Sequence, residues 1–280
     1  MRTAASLAYL LARSSDTLAD SVEISADTRL DCMQKFLESV GEFASPPRWP
    51  VSVLNAIRDP QEKQLLENTA NLFECLRCLP ASEAALVREV VSIIISGQQL
   101  DIRSFPNVGK SYITTLPDAA ALDDYTWRVA GCVGAFWTKL GFLTLGGKFS
   151  DAEESTLLEL GVTYGKGLQL VNILRDLPAD LANARCYLPV SDPHNKDELL
   201  ETHRLWTQRA LDKIGAGFSY AKTMRSRRLR AATVLPAMIA RETLERMNNA
   251  DWNTLGSRVK VPRSRVYLAL VHAFTGYSRE

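Results

Sequence analysis

The sequence predicts an all-α protein. Apolar residues recur at helical spacing through most of the 280 residues, and glycine and proline gather between those segments instead of punctuating short alternating runs. A hydrophobic share of 46% is ample for a buried core. No tandem repeat or low-complexity linker divides the chain, so residues 1–280 read as one domain.

The elements run in this order. "AASLAYLLARSSDTLADSV" (4–22) reads as a first helix whose apolar side carries Leu7, Leu10, Leu11 and Leu18. "SPPRWP" (45–50) is a clear break between helical segments, because consecutive prolines remove amide donors. "PASEAALVREVVSIIISGQQLDI" (80–102) opens with Ser82 as a cap candidate; its β-branched centre also suits a strand, and helix is the expectation. From Asp123 a helix runs through "YTWRVAGCVGAFWTKLG" to a glycine turn at 146–147, and a long one spans 152–182. Stretches 197–214, 217–248 and 264–275 complete the set, with Pro236 marking a kink.

Charge excludes some partners. The 33 basic and 32 acidic side chains give a net charge of +1, so no overall field recruits nucleic acid or anionic lipid. The five cysteines, Cys32, Cys75, Cys78, Cys132 and Cys186, form no regular framework and read as free thiols of a reducing compartment. "CLRC" (75–78) has no second cysteine or histidine cluster to complete a metal site, and two buried helical cysteines are the simpler account. No apolar run approaches the roughly 20 residues of a membrane span, and no secretory leader is legible. A cytoplasmic protein, at most peripheral to a membrane, is the expectation.

Two short stretches carry chemistry. "DTLAD" (16–20) and "DLPAD" (176–180) each put aspartates four residues apart, about 40° around a helix, so Asp16 and Asp20 face one way, as do Asp176 and Asp180. A single such pair is most often a solvated face. The second pair, however, continues a line through Gln169 and Asn172, walled by Leu168, Leu170, Val171, Ile173, Leu174 and Leu177. A polar stripe among aliphatics suggests a cavity, and carboxylates there need a counter-ion. Mg²⁺ suits them, being held by one or two carboxylates with waters and phosphate oxygens. Arg13 beside the first pair, and Arg175 and Arg185 around the second, would meet phosphate; each alone also reads as a surface ion pair. In "YTWRVAGCVG" (125–134), Gly131 and Gly134 signal either close helix packing or room for a bulky apolar ligand, and Tyr125 supplies a hydroxyl.

These three stretches, in this order, resemble the motifs of the squalene/phytoene synthase family: "ARSSDTLAD", then "YTWRVAGCVG" as its Y-x-x-x-VAG-x-VG, then "QLVNILRDLPADLANARCYLP". The resemblance implies the class I isoprenoid synthase fold, a helical bundle around a central cavity with the aspartate pairs on opposing helices. It implies that Asp16, Asp20, Asp176 and Asp180 bind Mg²⁺–diphosphate, assisted by Gln169 and Asn172. By the same resemblance Tyr9, Arg13, Arg175 and Arg185 hold phosphate oxygens, Tyr125 is the catalytic tyrosine, and Val129, Ala130 and Gly134 line a prenyl tunnel. The implied reaction is head-to-head condensation of two farnesyl diphosphates through the cyclopropyl presqualene diphosphate, with NADPH reduction to squalene. Presqualene diphosphate, phytoene or dehydrosqualene synthesis without reductant is the alternative within the family, and a non-catalytic scaffold of the same fold is the alternative outside catalysis.

"FWTKLG" and "MRSRRLRAATVLPAMIARETL" (224–244) look closer to squalene synthases. The basic cluster Lys222, Arg225, Arg227, Arg228 and Arg230 would meet dinucleotide phosphates or form a solvated face. No GxGxxG fingerprint is present. Against the family pattern, "MRTAASLAYLL" begins inside what resembles the second helix, so the first, with its basic serine-containing segment, is expected to be lacking.

Overall fold

The computed structural model describes residues 1–41, 45–106, 112–248, 250–257 and 259–275. They fall into two compact units, Met1–Pro106 and Asn107–Glu280, both helical.

The first unit contains α1 (Arg2–Asp20), α2 (Ala26–Val40), α3 (Val51–Ala56), α4 (Pro60–Glu67), α5 (Thr69–Arg77) and α6 (Ala81–Ser104). α1 lies against α2, α4, α5 and α6, with Ala4, Leu7, Leu11 and Leu18 fully covered. Ser14, Ser15 and Thr17 are buried too, because their hydroxyls bond back to the carbonyls of Leu10, Ala12 and Arg13 at 2.9–3.1 Å. α2 is a helix that the apolar spacing alone does not announce. Its buried line is Arg29, Cys32, Met33, Phe36 and Val40, a helical stripe that opens on a charged residue. Arg29 is tolerated there since its Nη1 donates to the Ala19 carbonyl at 2.7 Å, closing the end of α1.

In α6 the β-branched residues Val87, Val90, Val91, Ile94 and Ile95 form the buried side of a helix, so tertiary packing overrides the strand propensity. Ser82 does not cap it. Pro80 occupies that position and its carbonyl takes the Ala84 amide at 2.9 Å, which leaves Ser82 inside the first turn. All five cysteines are free thiols, but Cys75 and Cys78 are exposed, not buried, because Phe73 and Leu76 occupy the inward face of α5.

The second unit contains β1 (Thr114–Thr115), α7 (Ala119–Thr126), a π-helical turn (Trp127–Gly131), α8 (Cys132–Leu145), a 3₁₀ turn (Gly146–Lys148), α9 (Glu154–Ala182), β2 (Arg185–Cys186), α10 (Lys196–Thr223), α11 (Arg227–Asn248), α12 (Trp252–Gly256) and α13 (Arg263–Thr275). α9 is central, packed on the π turn, α8, α10 and α11. Its antiparallel approach to α8 and the π turn is closed by missing side chains. A Cβ on Gly134 would stand 1.9 Å from the Gly161 oxygen, and one on Gly165 would stand 2.4 Å from the Ala130 oxygen.

The boundary expected at 215–216 is absent: α10 continues through Gly215 and Gly217 and ends at Thr223. Gly217 is there to admit the Tyr164 ring, whose Cε2 would lie 2.5 Å from a Cβ. Two residues beyond the end of α9 the chain turns at Ala184, a non-glycine residue at φ 60°, and Thr114 pairs with Arg185 in a two-residue parallel ladder that fixes the exit.

The helical stretch Ala119–Lys148 corrects another expectation, for it is long and apolar enough to cross a membrane, with mean hydropathy 1.3 in its best window. Its apolarity has two local uses. About a third of that window is buried, and Val129, Ala130, Val133, Gly134 and Trp137 line a pocket within the unit.

Two glycine substitutions separate seam from surface. Gly134→Ala is expected to lower stability by about 1–3 kcal/mol or more, since α8 and α9 must part. Gly215→Ala meets nothing within 4 Å and should raise stability by about 0.5–1 kcal/mol. Urea unfolding of both variants checks this; a Gly134→Ala protein as stable as the parent would mean the helices are not in contact there.

Candidate active site

In the second unit the site is written along one face of α9. Gly161, Gly165 and Leu168 line the apolar pocket, and the same helical line continues to Asn172 and Asp176. Gln169 and Asp180 flank it within a quarter to a third of a turn. The face is therefore apolar for two turns and polar for the next two. Asn172 is exposed and its amide lies 3.4 Å from the Gln169 oxygen; Gln169, Asp176 and Asp180 are half-buried.

Both carboxylates sit beside arginine. Arg175 clasps Asp176 through Nε at 3.1 Å and Nη2 at 2.7 Å, which raises the already basic guanidinium further. Arg185 Nη2 stands 3.7 Å from Asp180 Oδ1, brought back by the turn at Ala184.

The pocket has a volume of about 410 Å³. Val129, Ala130 and Gly134 are on one wall, with Tyr164, Tyr220 and Pro236 opposite the seam. Its two tyrosine hydroxyls are engaged internally: Tyr164 donates to the Thr233 carbonyl at 3.0 Å, and Tyr220 shares a 2.7 Å bond with Thr138. Burial pushes the Tyr164 phenol well up and that of Tyr220 to about 12, so both stay neutral. Tyr125, four residues before Val129, is half-buried and stacks on Tyr187 with ring centroids 5.0 Å apart. The antiparallel register that pairs Gly134 with Gly161 and Ala130 with Gly165, carried one turn further, sets Tyr125 level with the start of the polar stripe.

The first unit builds a second acidic site on α1. Asp16 is half-buried, Asp20 exposed. Desolvation, and then the neighbouring Asp20, push the Asp16 carboxyl up to about 6, against the opposing pull of a hydrogen bond donated by Gln98 Nε2. Gln98 is buried on α6 and its Oε1 has no hydrogen-bond partner. Nothing in the neighbouring sequence marks it, since a glutamine within an apolar helix acquires meaning only from a carboxylate 82 residues away. Arg13 is engaged by Glu62 of α4, and Tyr9 is 67% exposed.

Each aspartate pair offers an all-oxygen donor set, crowded and desolvated at Asp16, which fits a hard divalent cation. Among the described residues no three His, Cys, Asp or Glu side chains converge as a ready-made metal cluster. In the basic cluster at 222–230, Lys222, Arg225, Arg227 and Arg228 are exposed. Arg225 is paired with Asp151, Arg227 donates to the Phe274 carbonyl, and Arg230 donates to that of Met224.

The Asp16 carboxyl makes a signed prediction. Its folded form holds the proton more tightly than the unfolded form, so this group lowers stability as pH rises from about 4 to about 6. Asp16→Asn should be more stable than the parent at pH 7 by about 1–3 kcal/mol, with the gain vanishing below pH 4. Thermal unfolding at the two pH values measures it. Equal or lower stability at pH 7 would contradict a desolvated, charge-crowded carboxyl.

Similarity to known proteins places the chain in a family. The pattern of the squalene/phytoene synthase family matches residues 1–265. The bifunctional lycopene cyclase/phytoene synthase of Arthroderma gypseum is 31% identical over 138 residues, 49% of this chain and 22% of that protein. The presqualene diphosphate synthase of Zymomonas mobilis is 30% identical over 145 residues, 48% of this chain and 44% of that one. The chain thus spans less than half the length of either relative. Among solved structures, the squalene synthase TcSQS in complex with a ligand superposes with a TM-score of 0.77 at 20% identity, covering 97% of this chain and 78% of that chain. That likeness establishes the helical isoprenoid synthase fold. With the family pattern running over nearly its whole length, the chain belongs to the squalene/phytoene synthase family.

Proposed function

We propose that this protein is a prenyltransferase that joins two prenyl diphosphates, farnesyl diphosphate by preference, head to head into a cyclopropyl diphosphate. The observation that carries the reading is the single face of α9 that passes from an apolar pocket at Gly161–Leu168 to Asn172 and Asp176. An amphiphile with a long hydrocarbon and an anionic head is the ligand chemistry such a face fits.

Asp176 and Asp180, and Asp16 and Asp20, would hold Mg²⁺ with the diphosphate; the bound ion supplies positive charge that favours departure of the leaving group. Arg175 and Arg185, with Arg13 and Tyr9, hold phosphate oxygens. A guanidinium has five donors, so the contacts to Asp176 and Glu62 leave others to share. Loss of diphosphate from the donor breaks its C–O bond and leaves an allylic cation. The acceptor's double bond supplies the electron pair for the new C–C bond, and loss of a proton closes the ring. Neutral, internally bonded Tyr164 and Tyr220 present no free nucleophile to that cation, and the aliphatic walls exclude water. Tyr125 is the residue that would meet the migrating proton beside the departing diphosphate. Gln169 and Asn172 orient the head group.

Reduction to squalene with NADPH is the proposed completion, supported by the resemblance to squalene synthases. A second reading draws on the relatives named phytoene synthase and presqualene diphosphate synthase. In it the cyclopropyl diphosphate is released or rearranges without reductant. We place the protein in the cytoplasm with at most peripheral membrane contact, as an apolar product requires.

The test is incubation with Mg²⁺ and farnesyl or geranylgeranyl diphosphate, with and without NADPH, followed by mass analysis of products. Squalene only with NADPH supports the first reading, and presqualene diphosphate or a dehydrogenated C30 or C40 product without it supports the second. Asp176→Ala should slow diphosphate release by about 10²–10³-fold. Near-normal turnover in that variant, or no coupled product from the parent under any condition, overturns the proposal.

A further inference from the structure

Pro178 lies inside α9, between Asp176 and Asp180. Proline has no amide hydrogen, so the bond that residue 178 would donate to the Leu174 carbonyl is missing. Leu174 is fully buried, where an open carbonyl is costly. The gap is filled from another helix: His203 of α10, 1% exposed, sets Nε2 3.2 Å from the Leu174 oxygen. A carbonyl only accepts, so the proton resides on Nε2. Burial, the largest influence on this imidazole, pushes its pKa down and keeps it neutral. Thr207 in turn anchors the His203 carbonyl through a 2.8 Å bond within α10.

We propose that His203 is a positioning residue of the second aspartate motif: it replaces the backbone bond that Pro178 removes and thereby fixes the turn carrying Asp176 and Asp180. The inference rests on the proposed role of those aspartates in holding Mg²⁺–diphosphate. It requires the contribution of His203 to depend on the proline, and not merely on a filled core.

The experiment is a double-mutant cycle on the full chain with His203→Leu, Pro178→Ala and the pair, plus His203→Gln as a donor-retaining control. Binding of inorganic diphosphate in Mg²⁺ is read by calorimetry, and backbone order by hydrogen exchange over residues 175–182. His203→Leu should weaken diphosphate binding about tenfold and speed exchange in that segment. In the Pro178→Ala background, where the substitution restores the amide, the same change should alter both by less than about threefold. His203→Gln should retain most of the parent's binding. Equal losses in the two backgrounds, or unaltered exchange in folded His203→Leu, overturn the inference. Should the parent bind no diphosphate, the functional reading fails separately, and exchange alone then decides the positioning role.

Discussion

The close approach of α8 and its preceding π turn to α9 is the constraint on which the second unit depends. With Gly134 facing Gly161, and Gly165 facing Ala130, backbone meets backbone. Two helices so close cannot fill the space beside the seam with their own side chains. The neighbouring positions Val129, Val133, Trp137, Tyr164 and Leu168 become pocket walls instead. The glycines thus serve both expectations raised by the sequence, tight packing and space for an apolar ligand, because one produces the other. The five-residue π turn sits in this stretch, and its Val129 and Ala130 line the same pocket as Val133 and Gly134 of α8.

Polar atoms are handled differently at the two acidic motifs. At α9 both motif aspartates have an arginine beside them, and the helix interrupted by proline is repaired by histidine. At α1 Asp16 is crowded by Asp20 and desolvated, with Gln98 providing partial relief. A residue held in a state that costs stability at neutral pH is characteristic of a binding role. A cation between Asp16 and Asp20 would reverse the sign of that cost.

Legibility in the sequence tracks the range of the interactions involved. α1 and α9 are readable because their apolar spacing is regular, and the stripe Gln169–Asn172–Asp176–Asp180 because it is written within one helix. α2 escapes because Arg29 stands at the head of its buried line, acceptable only once the Ala19 carbonyl is in reach. The α10–α11 boundary is misplaced because Gly215 and Ala216 look like a break, whereas the helix tolerates them and runs on to Thr223. Gln98 and His203 are invisible for a similar reason. Each acts on a partner 82 or 29 residues away, and nothing in its local sequence distinguishes it from core.

The apolar and polar halves of α9 also fix a direction for the ligand. From Gly161 to Asp176 the helix rises about 22 Å, with no change of face. A hydrocarbon lying along the seam would have its buried end near Gly161 and its head at Asn172 and Asp176, beside Arg175. The reverse orientation would place anionic oxygens against Tyr164, Tyr220 and Leu168, where the two hydroxyls are already committed. That costs several kcal/mol for an unpaired charge. The asymmetry of one helix would therefore suffice to orient the amphiphile proposed above, with the end adjacent to its head group toward α7, which carries Tyr125.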